Sequence, residues 1–493
     1  MHSDVLVIGG GPAGVTAALR ARELGASVAL VESRRMGGTC TNDGCVPTRV
    51  LAKAARLLRD RAQLSDYGIE SQGVPPTLDF ERLMARAQQV VYSIQEKKQL
   101  ISHLREADAE VFSGVGEARF VDPHSLALAD GRQLQADKFI LCAGGRARRL
   151  DFPGAQHTLT HSDIWSLKRL PASVAVVGAA ATGCQLASIL ATFGSRVTLL
   201  ELAPRILPTE DETISTSIQS ALAERGLSVV TGIQGIQAAE QLSASSGGPG
   251  AVRVHYQVGG RVQSLEAQAV IRSTGWLGNL DCLNLEAAGV QTNGRYVLVD
   301  DALRTSASHI FAAGDITGRM MLVQSAGYEA LLAAENAVLG GDRRERHTVV
   351  PHGGFTDPEY ASVGLTEAQA RRQEDCVTAV VPFSELDRAV IDGHPTGLCK
   401  LIVSSQSHRI LGAHVVGEQA LEIIHLVAAG MLADMWVEQL AELEIAYPTF
   451  TAAVGIAARR IVNELGVRPL TPEWRALNRL PAEWEHGQLT VSG

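Results

Sequence analysis

Two short apolar runs, Asp4-Val5-Leu6-Val7-Ile8 and Ser27-Val28-Ala29-Leu30-Val31, flank a helix-forming stretch from Val15 to Leu24. A continuous apolar run of this length fits a strand buried on both faces, and Gly25 supplies the helix stop. The first run ends in Gly9-Gly10-Gly11-Pro12-Ala13-Gly14 and the second in Glu32, so the pattern predicts strand, glycine-rich turn, helix, strand and acid. In such a unit the first glycine makes the tight turn, and Gly11 lets a pyrophosphate approach the backbone. Gly14 lets helix pack on strand, and Glu32 accepts from an adenosine ribose. The unit then repeats. Ser173-Val174-Ala175-Val176-Val177 leads into Gly178-Ala179-Ala180-Ala181-Thr182-Gly183, a helix runs to Gly194, and Arg196 to Leu200 ends in Glu201. Gly9 to Glu32 and Gly178 to Glu201 share one offset, which implies two nucleotides, one bound tightly and one exchanging.

Between the units, Gln95 to Ala107 reads as a helix and Lys138 to Gly145 as a strand ending in small residues, a crossover between domains. Val270-Ile271-Arg272-Ser273-Thr274-Gly275 repeats that pattern, and Thr305 to Asp315 reads as a third strand. An acid at the carboxyl end of a strand is where open α/β sheets meet ligands. Ser243 to Gly250, rich in Ser, Gly and Pro, reads as a surface hairpin loop. From about His352 the pattern changes to separated strands (Leu398 to Val403, Ile410 to Val416) and a helix (Ala420 to Met431) without a glycine fingerprint, an α+β arrangement. Val467 to Gly493 is polar and reads as a ragged tail. The fold class is therefore α/β, with two Rossmann-like dinucleotide-binding domains and a C-terminal α+β domain.

A chain of 493 residues is too long for one core, and domain statistics give roughly three or four units. The net charge of −9 is spread without a basic block, so neither nucleic acid nor an anionic membrane is an expected partner. No apolar run spans a bilayer, and the strand at Asp4 follows no charged and apolar leader, so the reading is cytoplasmic. Seven cysteines are present. Cys142, Cys184, Cys282, Cys376 and Cys399 are singletons without zinc-ligand spacing, so no metal site is expected. The other two, Cys40 and Cys45, follow the first dinucleotide unit and suggest a redox-active disulfide beside a flavin. In a regular helix this spacing separates the Cα atoms by roughly 7.5 Å of rise and about 140° of rotation, too far for an S–S bond. A disulfide therefore needs a distorted turn, which Gly44 permits through its free φ and Pro47 assists by withholding an N–H. Two free core cysteines are the other reading of the pair.

Taken together, these residues resemble the pyridine nucleotide–disulfide oxidoreductases, the family of glutathione reductase, dihydrolipoamide dehydrogenase and mercuric reductase, over about residues 4 to 465. The resemblance rests on Gly9 to Gly14 with Glu32, Gly38-Thr39-Cys40 through Cys45-Val46-Pro47, Thr305 through Gly314-Asp315, and Phe355-Thr356-Asp357-Pro358-Glu359. It implies an FAD domain (1–147 and 273–348) interrupted by an NAD(P) domain (148–272), a dimerisation domain (349–465) that makes a homodimer, and a tail (466–493). It further implies that Gly9, Gly11, Pro12, Ala13, Gly14, Glu32, Gly38 and Thr39 hold FAD, with Asp315 on the ribitol and pyrophosphate side. Glu117 and Ala118 would lie near the adenine, Ala143 and Gly144 near the ribose and phosphates, and Met321, Leu322 and Val323 by the isoalloxazine. Gly178, Gly183, Glu201 and Gly275 belong by the same likeness to the exchanging NADH or NADPH. Cys45 would be the charge-transfer thiolate against the flavin, and Cys40 the outer thiol that attacks a substrate.

The chain also departs from the family pattern. Relatives that reduce dithiol substrates carry His-Pro-Thr followed by a Glu, whereas this segment reads Tyr447-Pro448-Thr449-Phe450-Thr451-Ala452. The acid–base and its orienting carboxylate are both missing there, and a tyrosine is a poor proton shuttle at neutral pH. Mercuric reductase has a tyrosine at that point, so the departures lean toward the mercuric-reductase-like branch. Its C-terminal cysteine pair has no counterpart in Glu485 to Gly493, which argues against mercury handling. Arg49 and Gln185 stand where relatives pair a lysine with a glutamate, leaving a guanidinium without its carboxylate near the flavin and an expected rise in flavin potential. Ala180 replaces the middle glycine of the second fingerprint and should weaken nicotinamide binding, while Ala181 should leave that pocket more open. Glu201 favours NADH over NADPH, a preference that Arg205 blurs. Thr209-Glu210-Asp211-Glu212 reads as a capped helix start. The expected protein is an FAD-dependent oxidoreductase that passes electrons from NAD(P)H through Cys40–Cys45, with Tyr447 as a third catalytic residue, to an acceptor such as a metal ion like Hg(II), oxygen, a quinone or a poor disulfide substrate. The alternative is a non-catalytic or redox-sensing flavoprotein with impaired nicotinamide binding.

Overall fold

The computed structural model describes residues 2–70, 77–243 and 250–467. The tip of the loop expected between Ser243 and Gly250, and the tail beyond Val467, lie outside the described residues. The chain divides into two compact units, one ending at Gly364 and the other beginning at Leu365.

The first unit holds two separate sheets built on parallel strands, the first of them extended by the antiparallel strands Ser125–Ala127 and Arg119–Asp122. In one, Glu110–Ser113, Val28–Glu32, His2–Ile8 and Gln133–Leu141 lie side by side, and Ile310–Ala312 joins Gln133–Leu141 from far along the chain. Val5, Leu6, Val7 and Ile8 are all buried, as a strand covered on both faces requires. One face carries helices Pro12–Glu23 and Val323–Leu339, whose contact is built from Ala13, Ala17, Ala21, Ala326, Ala330 and Ala333. The other face is filled by larger groups, among them Phe120, Leu126, Phe139 and Leu285.

The second sheet orders Ser228–Val230, Arg196–Leu200, Ser173–Val177, Ala269–Arg272 and Leu159–Thr160, all parallel. An antiparallel meander, Ile233–Gln241, Val252–Val258 and Arg261–Ala267, covers it through Val254, Tyr256 and Ala267. Asp211 caps helix Glu212–Glu224 by accepting the Thr213 N–H, which is the capped start read from the sequence. A short hairpin, His352–Gly354 with Tyr360–Gly364, closes the unit. The second unit is an antiparallel sheet of Cys376–Pro382, Leu398–Ser404 and Ile410–Val416 with helices Ala420–Leu432, Val437–Glu442 and Ala452–Leu465.

Two elements differ from expectation. The helix read at Gln95 to Ala107 is two helices, Phe80–Lys98 and Leu100–Glu106, broken where Gln99 turns left-handed at φ +42. The longer one starts early because Asp79 accepts the Arg82 N–H, and only Phe80, Ala87 and Val91 bury, so its apolar stripe is narrow. The strand read at Thr305 to Asp315 shrinks to Ile310–Ala312, since Thr305 Oγ1 accepts the Ala307 N–H in a turn. Among the described residues, no helix is long and apolar enough to cross a membrane.

Candidate functional site

The two glycine turns have nearly the same geometry. Gly9 and Gly178 take φ +113 and +98, and a Cβ on them would lie 2.2 Å from the Cys142 oxygen and 2.3 Å from the Ser273 oxygen. A Cβ on Gly14 or Gly183 would lie 1.7 or 1.8 Å from the oxygen of Gly9 or Gly178. These four positions are closed to any side chain by the protein itself. The middle positions are open. Gly11 and Ala180 precede their helices with φ,ψ of −76°,−175° and −75°,−172°, and a Cβ on Gly11 meets only the Gly38 Cα at 3.6 Å. Neither helix has a side-chain cap or an acid in its first turn, with Pro12 and Ala13 opening the first, so its N–H groups are left for an anion.

Each turn is braced by the acid at the end of the following strand, a role the sequence reading missed. Glu32 accepts from the Gly10 N–H at 2.7 Å and the Arg34 N–H at 2.8 Å. Glu201 accepts from the Ala179 N–H at 2.5 Å and the Ala203 N–H at 2.8 Å. Arg205 donates from Nη2 to the Pro208 and Glu210 carbonyls at 3.0 and 2.8 Å, so its guanidinium is engaged by its own loop.

Cys40 and Cys45 sit beside the first turn. The Gly37 N–H donates to the Gly10 oxygen at 2.8 Å. Gly38, at φ +60, comes so close to Gly11 that a Cβ on it would lie 2.8 Å from the Gly11 Cα. Cys40 lies next to Thr39 in helix Gly38–Asn42, and Cys45 is the first residue of helix Cys45–Asp60. The break expected between them is present at Asp43 and Gly44. Gly44 has an ordinary φ of −117, so its need for glycine is spatial: a Cβ would crowd the Thr39 oxygen at 3.0 Å. Pro47 falls in the first turn of the second helix, where its missing N–H costs no helical bond. The two cysteines are present as free thiols hydrogen-bonded to each other. That bond lowers the Cys45 thiol to about 7, helped by its own backbone N–H, and pushes the Cys40 thiol far up, as burial also does.

Arg49 is not left without a carboxylate, contrary to the expectation from Gln185. Its guanidinium pairs with Glu359, which is 2 % exposed and also pairs with Arg56, and it lies 4.6 Å over the Phe355 ring. Gln185 instead accepts the Phe355 N–H at 3.2 Å and so ties down the segment that carries Glu359. The guanidinium is therefore paired, but Arg49 and Arg56 share that one carboxylate, so a single net positive charge remains among the three groups.

Asp315 follows strand Ile310–Ala312, and burial raises its carboxyl above the usual range. The carbonyls of Ala143 and Gly144 hold Asn279 at 2.8 and 3.0 Å, and Gly144 and Gly275 both take positive φ, +67 and +104. Glu117 is exposed and hydrogen-bonded by the Cys282 thiol, and Ala118 is buried. Met321 and Val323 are exposed beside Leu322, the residue preceding helix Val323–Leu339. In the second unit, Tyr447 is 77 % exposed and its hydroxyl donates to Asp387 at 2.6 Å, which raises its pKa above the usual phenol value. The Tyr447 segment itself contributes no carboxylate, and the one that accepts from Tyr447, Asp387, comes from a different element.

A cluster the sequence did not reveal lies behind Asp315. Glu329 accepts the Gly314 N–H at 2.6 Å and faces His347 at 3.1 Å; His347 also contacts Glu345, which faces Arg319 at 3.1 Å. The three residues Glu329, Glu345 and His347 have the donors for a metal ion, but each already serves another. Their shared place appears only after residues 314 to 347 fold back on one another.

Two dinucleotide turns with a thiol pair against the first define a nucleotide-dependent oxidoreductase. The chain belongs to the pyridine nucleotide-disulphide oxidoreductase family, matched over residues 3–330, with that family's dimerisation domain over residues 350–458. It is 32% identical over 460 residues to the mercuric reductase of Staphylococcus aureus, covering 92% of this chain and 82% of that protein. A dihydrolipoyl dehydrogenase of Bacillus subtilis is 29% identical over 471 residues, covering 92% and 97%. Among solved structures, the HOCl-induced flavoprotein disulfide reductase RclA from Escherichia coli superposes with a TM-score of 0.82 at 26% identity, covering 92% and 99%; it has also been solved as a Cu(II) complex. This protein is therefore a flavin-dependent oxidoreductase of a family that uses FAD and NAD(P)H.

Proposed function

We propose that the protein takes hydride from NAD(P)H and passes the two electrons through Cys40 and Cys45 to a small-molecule acceptor other than an ordinary substrate disulfide. A soft metal ion such as Hg(II), oxygen or a quinone fits this description. The observation that carries the reading is the placement of two free, hydrogen-bonded thiols beside the first glycine turn, where Gly38 packs against Gly11, with Cys45 the more acidic of the two. When bound, FAD supplies the two-electron step between nicotinamide and thiols. The uncapped helix at Pro12, the close approach of Gly38 to Gly11 and the lack of acids in that first turn suit its diphosphate. Gly9, Gly14, Thr39 and Glu32 would shape that cradle, Asp315 would hold the ribitol and pyrophosphate side, and Glu117, Ala118, Ala143, Gly144, Met321, Leu322 and Val323 would hold the remainder. Arg49 and Arg56 share the Glu359 carboxylate, so one net positive charge stays at that group of residues.

Gly178, Gly183, Gly275 and Glu201 would take NADH in preference to NADPH, because Glu201 repels a 2′-phosphate and Arg205 is engaged elsewhere. Tyr447 with Asp387 beside it keeps its proton at neutral pH, so reduction of dithiol-type disulfides should be slow. We assign residues 1–147 and 273–348 to the FAD domain, 148–272 to the NAD(P) domain and 349–465 to a homodimer interface in a cytoplasmic protein. The second reading, a redox-sensing flavoprotein, draws on Ala180, whose side chain occupies the middle position of the second turn. Anaerobic mixing with NADH separates the two. Fast flavin bleaching followed by a long-wavelength charge-transfer band is the expected result, and absence of bleaching at saturating NADH would leave only the sensor.

A further inference from the structure

The turn between the two cysteines is held from outside itself. Asp43 (φ −145, ψ 9) and Gly44 (φ −117, ψ −112) are the residues linking helix Gly38–Asn42 to helix Cys45–Asp60, so their torsions decide how the two sulfurs face each other. The Trp165 indole N–H donates to the Asp43 carbonyl at 2.8 Å, and the Ser162 hydroxyl donates to the Asp43 carboxylate at 3.0 Å. His161 Nε2 lies 3.1 Å from that same hydroxyl. Both donors follow strand Leu159–Thr160, at the edge of the second sheet, and not the sheet beside which the cysteines lie. The Trp165 ring is itself fixed, packed with Leu51, Phe80, Ile189 and Phe193. Preceding Asp43, Asn42 is anchored too, by Gln95 Nε2 at 2.6 Å and through its own amide to the Met36 carbonyl at 3.2 Å.

A disulfide forms only when the Cα atoms and the Cβ directions fall in a narrow range. Its stability relative to the dithiol grows with the time the two sulfurs spend in that range. We propose that Asp43, clamped by Ser162 and Trp165, is a positioning residue that sets the redox equilibrium of the Cys40–Cys45 pair; the proposal rests on the reading that this pair cycles between dithiol and disulfide. In the test reaction, glutathione disulfide oxidises the pair. Its S–S bond breaks, a bond forms between Cys40 and Cys45, and both thiol protons with two electrons leave on two molecules of glutathione.

The experiment uses the full-length, flavin-loaded protein and the variants Ser162→Ala, Trp165→Phe and the double variant. Each is equilibrated in glutathione buffers, quenched with a thiol-alkylating reagent and read by mass spectrometry on the Cys40–Cys45 peptide. The double variant is expected to lower the equilibrium constant for oxidation about tenfold, or ~30 mV for a two-electron couple, with an unchanged flavin spectrum. A constant within about twofold of the parent protein overturns the clamp. If Trp165→Phe disturbs its apolar neighbours and the flavin is lost, Ser162→Ala decides alone, because it removes a single hydroxyl; about threefold weaker oxidation supports the clamp and an unchanged constant overturns it. A parent protein whose two thiols stay alkylatable at every buffer ratio overturns the redox reading itself, and the clamp falls with it.

Discussion

Cys45 owes its acidity to the Cys40 thiol, which donates to it and so stabilises its charged form. With its pKa lowered from 9.0 to about 7, Cys45 is half thiolate at neutral pH and mostly protonated below that. Only the thiolate alkylates, so the iodoacetamide rate at Cys45 in the reduced protein should rise through pH about 7 and level off above it. In Cys40→Ala the same profile should move up toward 9, because the donor is gone while the opposing burial remains. A profile unmoved by Cys40→Ala would mean that Cys45 takes its charge from another source. The thiol pair was legible in the sequence because both partners lie in one short segment. The Arg49 ion pair was not, since its carboxylate, Glu359, stands 310 residues away and no spacing rule connects them. The same holds for Asp387 beside Tyr447, separated by 60 residues.

At the scale of elements, the central parallel strands of both sheets were readable because fully buried strands are continuous apolar runs, and the repeat of turn, helix and acid marked their order, whereas the short, partly exposed strands Glu110–Ser113, Ser228–Val230 and Leu159–Thr160 carry no such run. Helix Phe80–Lys98 was mostly hidden, since a narrow apolar stripe among charged residues resembles a solvated stretch, and the break at Gln99 has no glycine or proline to announce it. The glycine turns make a sharper prediction than their common motif. Gly14→Ala should abolish folding of the turn and with it flavin retention, because its Cβ would sit 1.7 Å from a backbone oxygen. Gly11→Ala should fold normally and release flavin more readily, since its Cβ meets only a 3.6 Å contact. Ala180→Gly should lower the KM for NADH several-fold with little change in Tm. Flavin absorbance after gel filtration, thermal melts and steady-state kinetics check the three together; equal damage from Gly11→Ala and Gly14→Ala would be the contrary result.

For the whole molecule, the match to the dimerisation domain over residues 350–458 implies a second copy. The chain should therefore run as a dimer in light scattering at micromolar concentration, and a monomeric mass would refute the homodimer assignment. The open and closed positions of the glycine turns reach further than either site. In the second turn, Gly178 and Gly183 are locked by the backbone while the side chain of Ala180 points to solvent. Inheritance can therefore act on the two separately. If the second turn holds the nicotinamide nucleotide as proposed, change at position 180 should leave folding and cellular abundance untouched and alter the flow of reducing equivalents into the flavin, so that lineages could retune the rate of this protein by a single codon without first acquiring a stabilising mutation elsewhere.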